Sequence, residues 1–415
     1  MAREDVEVVV VGGGAAGIAA ARRLHDASID CLLVEARSRL GGRAWTVIEQ
    51  GYALDLGCGW LHSADRNPWR GIAEAQGATI DRSAAPWSRQ PLEVSFPRDE
   101  LNDYQAAMAS FFDRLERLAQ NPSDVACSAA FLPNCRWNPL FDALSTYISG
   151  AEWEFISAKD YDRYADSGIN WRIVEGLGAM IATHGASLPV VFDCPVRTID
   201  HGGKRLHIET AQGTMTADRA IIAAPPTMLT AGALSFTPAL PKKTEAAQNL
   251  PLGHDDKLFM TLDNAEEFDK DLRVFAHIDR TATAGYNFRP FGRPLIEAYF
   301  GGACAAALEA QGDAAFFDFA ATELSDVFGN DFRRRIKPIR VHRWGADPLA
   351  RGAYSYATPG FADCRQTLAE PVDNRLFFAG EACSPHDFST AHGALQTGVA
   401  AAEQVIAART KELAR

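Results

Sequence analysis

The chain opens on Val6 and an uninterrupted β-branched run at 8–11. A continuous apolar run stopped by glycine predicts a strand buried on both faces of a parallel sheet. Gly12-Gly13-Gly14-Ala15-Ala16-Gly17 follows, then a small, helical, apolar stretch at 18–24, then a second strand at 29–34 that ends at Glu35. Strand, glycines, helix, strand and acid in that order predict a βαβ unit. The pattern returns to strands at 190–192 and 196–199 and to a hairpin over 205–223, halted by Pro225-Pro226. A last strand is predicted at 376–379 and a turn at Gly380-Glu381. An amphipathic helix follows at 390–408, with Ala394, Leu395, Val399, Ala402, Val405 and Ile406 on its apolar face. Helical stretches at 102–119 and 313–328 lie between these pieces, and the chain has no repeat, low-complexity segment or linker.

The glycine spacing carries chemistry. Gly12, Gly14 and Gly17 occupy the G-x-G-x-x-G positions. Gly12 allows the tight turn, Gly14 lets backbone approach a pyrophosphate, and Gly17 lets helix and strand pack closely. The helix N-terminus offers free N–H groups and its positive dipole end to phosphate. Glu35, at a strand end, is placed to accept from ribose hydroxyls. This motif alone leaves a flavin or a nicotinamide dinucleotide open.

Composition narrows the partners. The 415 residues predict two or three domains, and 47% hydrophobic with 23% charged residues is ordinary for a soluble globular chain. A formal net charge of −12 argues against nucleic acid, whose binding draws on phosphate neutralisation. No run approaches the ~18 apolar residues of a membrane span, and no signal-peptide pattern opens the sequence. The eight cysteines form no Cys-x-x-Cys and no zinc spacing, so no metal is expected and they read as small buried residues in a reducing compartment. The expectation is a soluble cytoplasmic protein.

Beyond the fingerprint, Arg37 to Arg43 reads Arg-Ser-Arg-Leu-Gly-Gly-Arg. Asp55-Leu56-Gly57-Cys58-Gly59-Trp60-Leu61-His62 follows, with Asn67-Pro68 downstream. Then come Leu252-Gly253-His254-Asp255-Asp256-Lys257 and His342-Arg343-Trp344-Gly345-Ala346-Asp347-Pro348-Leu349-Ala350-Arg351-Gly352-Ala353-Tyr354-Ser355-Tyr356. The chain closes with Phe378-Ala379-Gly380-Glu381 and Thr390-Ala391-His392-Gly393-Ala394. In this order the motifs resemble those of the flavin-containing amine oxidases: monoamine oxidases, polyamine oxidases and the lysine-specific histone demethylase. The Trp60-Leu61-His62 segment is most similar to the polyamine oxidase branch.

The resemblance implies a mixed α/β fold with two domains. A Rossmann-like FAD-binding domain would comprise 1–80, 189–250 and 340–415, and a discontinuous substrate domain 81–188 and 251–339. It implies FAD held non-covalently, because Ala353 stands where monoamine oxidases carry the attaching cysteine. Gly12, Gly14, Ala16, Gly17, Glu35, Ala36, Arg37, Gly42, Arg43, Gly57, Gly59, Trp60, Val196, Trp344, Gly380, Glu381, Thr390 and Ala391 would contact the cofactor. Lys257 would hold a water near the flavin. Tyr354 would wall the substrate cage with Trp344 behind it, and Trp60 and His62 would lie beside the flavin ring. Thr390 would take the place of the second cage tyrosine of monoamine oxidases. Read from residue type alone, Lys257 is a surface charge, His62 a structural histidine, and Tyr354 and Trp344 are core aromatics.

The implied reaction moves a hydride from the carbon next to nitrogen onto the flavin. The imine is then hydrolysed, and oxygen reoxidises the flavin to give hydrogen peroxide. Only the neutral amine reacts, and an apolar aromatic pocket disfavours the ammonium form. The partners expected are a small-molecule amine and oxygen, without nucleic acid or membrane; a homodimer is compatible with the sequence. Residues 151–166, with Glu152, Glu154, Asp160, Asp162 and Asp166, would favour a polyamine or other secondary amine if they line the entrance. The alternatives are an L-amino-acid oxidase, with Arg89 or Arg289 as carboxylate clamp, an amine dehydrogenase, a desaturase, and a non-enzymatic FAD-bound scaffold.

Overall fold

The apolar run at the start of the chain becomes the strand Asp5–Val11, in the middle of an eight-stranded sheet. A computed structural model describes residues 5–89 and 96–413. The sheet runs Ser235–Thr237, Val196–Asp200, Leu206–Thr210, Gly213–Ile222, Asp5–Val11, Cys31–Val34, Val190–Val191, and Leu376–Phe378 joins the far half of Gly213–Ile222. Asp5–Val11 is parallel to both neighbours, with Val11 opposite Ile222 and Val34. The 205–223 hairpin forms as Leu206–Thr210 against Gly213–Ile222.

Both faces of this sheet are covered, which is why its strands lack a polar phase. Val8 and Val10 pack under the helices Ala15–Asp26 and Ala391–Leu413. Val9 and Val11 face Val196, Ile199, Ile208, Met228 and Phe378. Gly12 turns the chain at φ +102°, a region that disfavours a side chain. At Gly17 a Cβ would stand 1.8 Å from the Gly12 carbonyl oxygen, so only glycine lets the helix lie this close to the strand.

A second, antiparallel sheet runs Leu272–Phe275, Gly285–Phe288, Leu295–Gly301, Asp255–Leu262, Ile336–Val341. Here alternation decides the faces. Leu258, Met260, Val274, Tyr286, Ile296, Ala298 and Phe300 form a core with the helices Gly302–Gln311 and Asp313–Phe328. The residues between them, Asp255, Lys257, Arg273, Asn287, Glu297 and Tyr299, take the opposite face. The sequence reading had only helices between the nucleotide-binding pieces; it missed this sheet.

The third layer is helical. Arg98–Ala119 and Asn138–Ser149 pack Phe111, Leu115, Trp137, Leu140 and Phe141 with Trp153, Ile156 and Phe275. A buried bidentate pair ties this layer to the rest of the chain: Arg365 Nε and Nη2 donate to Asp160 Oδ1 and Oδ2 at 2.7 and 2.8 Å. The predicted helices at 102–119, 313–328 and 390–408 form as Arg98–Ala119, Asp313–Phe328 and Ala391–Leu413. Among the described residues no helix is long and apolar enough to cross a membrane.

Candidate active site

One cavity of about 1180 Å³ runs from the glycine-rich turn to the polar face of the antiparallel sheet. Its first half is built from carboxyl ends of parallel strands. Val11, Gly12, Gly14, Ala15, Ala16, Val34, Glu35, Ala36 and Arg37 line it, with Gly42 and Arg43 beyond. No side chain caps the helix that starts after Gly14, so its first N–H groups face the cavity. Glu35 is buried, and its two carboxylate oxygens accept from Gly13 N at 2.6 Å and Arg37 N at 2.7 Å. Burial raises its pKa more than these donors and the neighbouring arginines lower it. Val196 and Ala391 complete the wall. An uncapped helix end, a glycine turn and a strand-end acid on one cleft suit the phosphates and ribose of a dinucleotide. Gly17 is the exception among the sequence candidates: it is off this wall and serves the helix–strand contact.

Where the two sheets meet, Arg43 donates to Glu381 Oε1 at 2.9 Å and to the Ala353 carbonyl. Glu381 Oε2 accepts from Ser355 Oγ at 2.7 Å and from Ser389 N at 2.9 Å. Burial alone would push the Glu381 carboxyl up, but Arg43, Arg365 and these donors more than offset it and keep it ionised. Gly57, Gly59 and Gly380 line the same junction.

Lys257 stands beside them, 5% exposed. Its Nζ lies 3.2 Å from Glu297 Oε1 and donates to the Asp55 carbonyl at 3.2 Å. Burial disfavours the ammonium, but Tyr299, Glu297, Asp55 and Asp255 pull the other way and hold it protonated. Trp344 is fixed by its indole N–H on the Leu56 carbonyl at 2.9 Å and by its backbone N–H on Asp256 at 2.9 Å. Tyr354 donates its hydroxyl to the Tyr147 carbonyl at 2.6 Å. Trp60 meets Trp87 edge to face at 4.4 Å. His62 Nδ1 contacts Asn170 Oδ1 at 2.7 Å, and burial lowers its pKa, so the ring is neutral. All of these line the cavity. Thr390 does too, but its hydroxyl is committed: it donates to the Asp387 carbonyl at 2.6 Å and accepts from Gly393 N at 3.0 Å, capping the last helix. It offers the chamber no free hydroxyl.

Two expectations about the entrance need correction. Of the acids at 151–166, only Asp166 reaches the cavity wall. Asp160 is buried against Arg365, and Glu152 accepts from Ala303 N at the start of the helix Gly302–Gln311 at 2.9 Å. Of the two proposed arginine clamps, Arg89 is at the wall, while Arg289 lies off it and donates to the Phe268 carbonyl.

The chamber also holds residues that sequence reasoning missed: Tyr104, Tyr147, Asp255, Arg273, Asn287 and Tyr299. Single polar residues between apolar ones, at Leu272-Arg273-Val274 and Tyr286-Asn287-Phe288, were the available signal for two of them. Burial pushes the Asp255 carboxyl up to about 8, only partly offset by Lys257. The wall is thus largely aromatic and short of free charge.

Comparison with known proteins bears on the family and the fold. The family model described as "Flavin containing amine oxidoreductase" matches residues 15–77 and 86–406. Polyamine oxidase 2 of Arabidopsis thaliana is 30% identical over 441 residues, covering 97% of this chain and 88% of that protein. Lysine-specific histone demethylase 1 homolog 2 of Oryza sativa subsp. japonica is 27% identical, covering 99% of this chain and 58% of that protein. A solved putrescine oxidase bound to putrescine shares the fold, with a TM-score of 0.80, 18% identity and coverage of 97% and 99% of the two chains.

Proposed function

The chain belongs to the flavin-containing amine oxidoreductases and sits with their polyamine oxidase branch, and on that premise we propose that it is an amine oxidase with non-covalently held FAD. The observation that carries this reading is the continuity of the cavity, in which a dinucleotide cradle opens into an aromatic chamber at Lys257. Bound FAD would supply the two-electron acceptor for oxidation of the carbon next to nitrogen, the resulting imine would be hydrolysed by water, and oxygen would serve as the final oxidant and leave as hydrogen peroxide.

The chain's own residues do the rest. Gly12, Gly14 and Ala16 would present backbone to the phosphates, Glu35 would face a ribose, and Arg43, Val196 and Glu381 would hold the remaining length. The buried chamber walled by Trp60, Trp344, Tyr299 and Tyr354 strips water from an amine, and that desolvation disfavours the ammonium, so the amine reaches the reacting end neutral. Lys257 Nζ would orient water there. No nucleophile stands at Ala353, and burial pushes the Cys58 and Cys383 thiols up to about 12, which keeps them protonated. That supports a cofactor released on denaturation.

The substrate is an extended aliphatic amine, a secondary amine or a polyamine. The relatives' names and Asp166 at the wall support this. A simple α-amino acid is less well served near the cofactor cradle, because there Arg43 is already spent on Glu381 and Arg37 on Asp347 at 2.8 Å. The test is aerobic turnover of the FAD-loaded protein with an oxygen electrode and a peroxide assay. One peroxide per amine consumed is expected. Turnover with an artificial acceptor but no oxygen uptake would mark a dehydrogenase instead.

A further inference from the structure

On the polar face of the antiparallel sheet, Arg273 sits directly across from Asn287, and Asn287 across from Glu297. Lys257 sits across from Tyr299, and Tyr299 from Gly285. These residues share one face, with Lys257 on the fourth strand of the sheet and Arg273 on the first. Three inter-strand steps separate the two strands, about 14 Å.

Among the described residues Arg273 has no carboxylate partner, although it lines the cavity. Its guanidinium lies over the Phe275 ring at 4.3 Å. The oppositely charging groups that act on it are the phenols of Tyr104 and Tyr147. Burial pushes Tyr104 up to about 12 and raises Tyr147 well above the ordinary phenol value, so both are neutral at physiological pH. Asn287 makes the second, independent observation. It is 5% exposed and lines the same cavity, yet among the described residues neither its Oδ1 nor its Nδ2 has a hydrogen-bond partner. Native proteins leave few buried amides unsatisfied, and such a group marks a place where a ligand completes the set. The neighbouring Glu297 does not answer either residue, since its carboxylate is paired with Lys257.

We propose that Arg273 and Asn287 form the distal end of the substrate site and bind the carboxylate of an amino carboxylate whose nitrogen reacts at the Lys257 end. This rests on the amine-oxidising reading and narrows it. A guanidinium without a carboxylate partner among the described residues, in an aromatic chamber, offers planar, bidentate donors matched to a carboxylate, and the Asn287 amide adds another. A polyamine would set an ammonium against that guanidinium. An α-amino acid carries both charges on one carbon and cannot reach both ends.

The test compares ε-aminocaproate and longer ω-amino carboxylates with hexylamine and hexamethylenediamine, using the FAD-loaded protein. The wild type prefers an amino carboxylate, by kcat/KM, over the monoamine and the diamine of equal length. Arg273→Met lowers the ratio of kcat/KM for the amino carboxylate to that for hexylamine by about 10- to 100-fold, the range for a lost charge-assisted hydrogen bond. Asn287→Leu lowers the same ratio by less and serves if the arginine variant does not fold. Independently of turnover, calorimetry detects caproate binding to the oxidised wild type and weaker binding to both variants. Should no amine be oxidised while caproate still binds through Arg273, the amine reading fails and the carboxylate site stands. If amines are oxidised but caproate does not bind, or if Arg273→Met depresses hexylamine and ε-aminocaproate equally, the proposal is overturned.

Discussion

Replacing Lys257 by methionine keeps length and apolar bulk but removes the charge facing Glu297. The pair is 3.2 Å apart, with side chains 6% and 10% exposed, so water cannot take over the role of the ammonium. Breaking a buried pair by removing one partner costs about 3–5 kcal/mol, because the other charge is left uncompensated. At about 2 °C per kcal/mol, the Tm of the FAD-loaded protein should fall by roughly 6–10 °C. The diagnostic is a double-mutant cycle. Adding Glu297→Gln removes the stranded charge, so the double variant should recover most of the loss. The assay is thermal unfolding of the wild type, both single variants and the double, monitored by circular dichroism and by release of flavin fluorescence. The same Lys257→Met protein, reduced anaerobically and mixed with oxygen, should reoxidise far more slowly than the wild type. A loss below about 1 kcal/mol, or one that persists in full in the double variant, would refute the pairing argument. Unchanged reoxidation would refute the role given to the lysine at the reacting end.

Three further outcomes are expected. Gly17→Ala places a Cβ 1.8 Å from the Gly12 carbonyl; the helix must move off the strand, and the purified protein should lose bound FAD, read from its visible spectrum, while keeping its far-ultraviolet signature. Asp160→Asn strands Arg365, 1% exposed, and should destabilise by about 3–5 kcal/mol in urea unfolding, with Asp160→Leu/Arg365→Met recovering part of it. Asp255, with its pKa raised to about 8 by burial, stabilises the fold at acid pH relative to alkaline pH. That contribution is full below the ordinary carboxylate value near 4 and is lost as pH rises towards 8. The Tm of Asp255→Asn should therefore gain on the wild type across that window and level off above it; a constant difference would contradict the shift.

Much of the nucleotide-binding half was legible in the sequence, because its signals are local. A β-branched run, glycines forced by contacts such as Gly17 on Gly12, and an acid at a strand end fall within one short stretch. The closing helix was readable from its apolar phase, and its true end, Leu413, lies a few residues beyond the pattern. The antiparallel sheet was not seen because its strand Asp255–Leu262 pairs far along the chain, with Leu295–Gly301 and Ile336–Val341, and because the sheet carries charge on one face. Lys257, Glu297 and Arg273 look like surface residues until the pairings Lys257 with Tyr299, Arg273 with Asn287 and Asn287 with Glu297 are known to gather them on one face of the sheet. The acids at 151–166 misled for the converse reason: charge density predicted an entrance, but Asp160 meets Arg365 across about half of the chain. Thr390 was placed in the cage by motif alone, and only the geometry reveals that its hydroxyl is spent on the helix cap.

The account stands most directly on what an amine does to the cofactor. The FAD-loaded protein, made anaerobic and mixed in a stopped-flow instrument with a panel of aliphatic amines, polyamines and amino carboxylates, should lose its yellow absorbance in one two-electron phase with at least one of them. Admitting oxygen should restore the colour with release of peroxide. Protein that holds FAD but is bleached by no member of the panel would contradict the claim that this chamber oxidises amines.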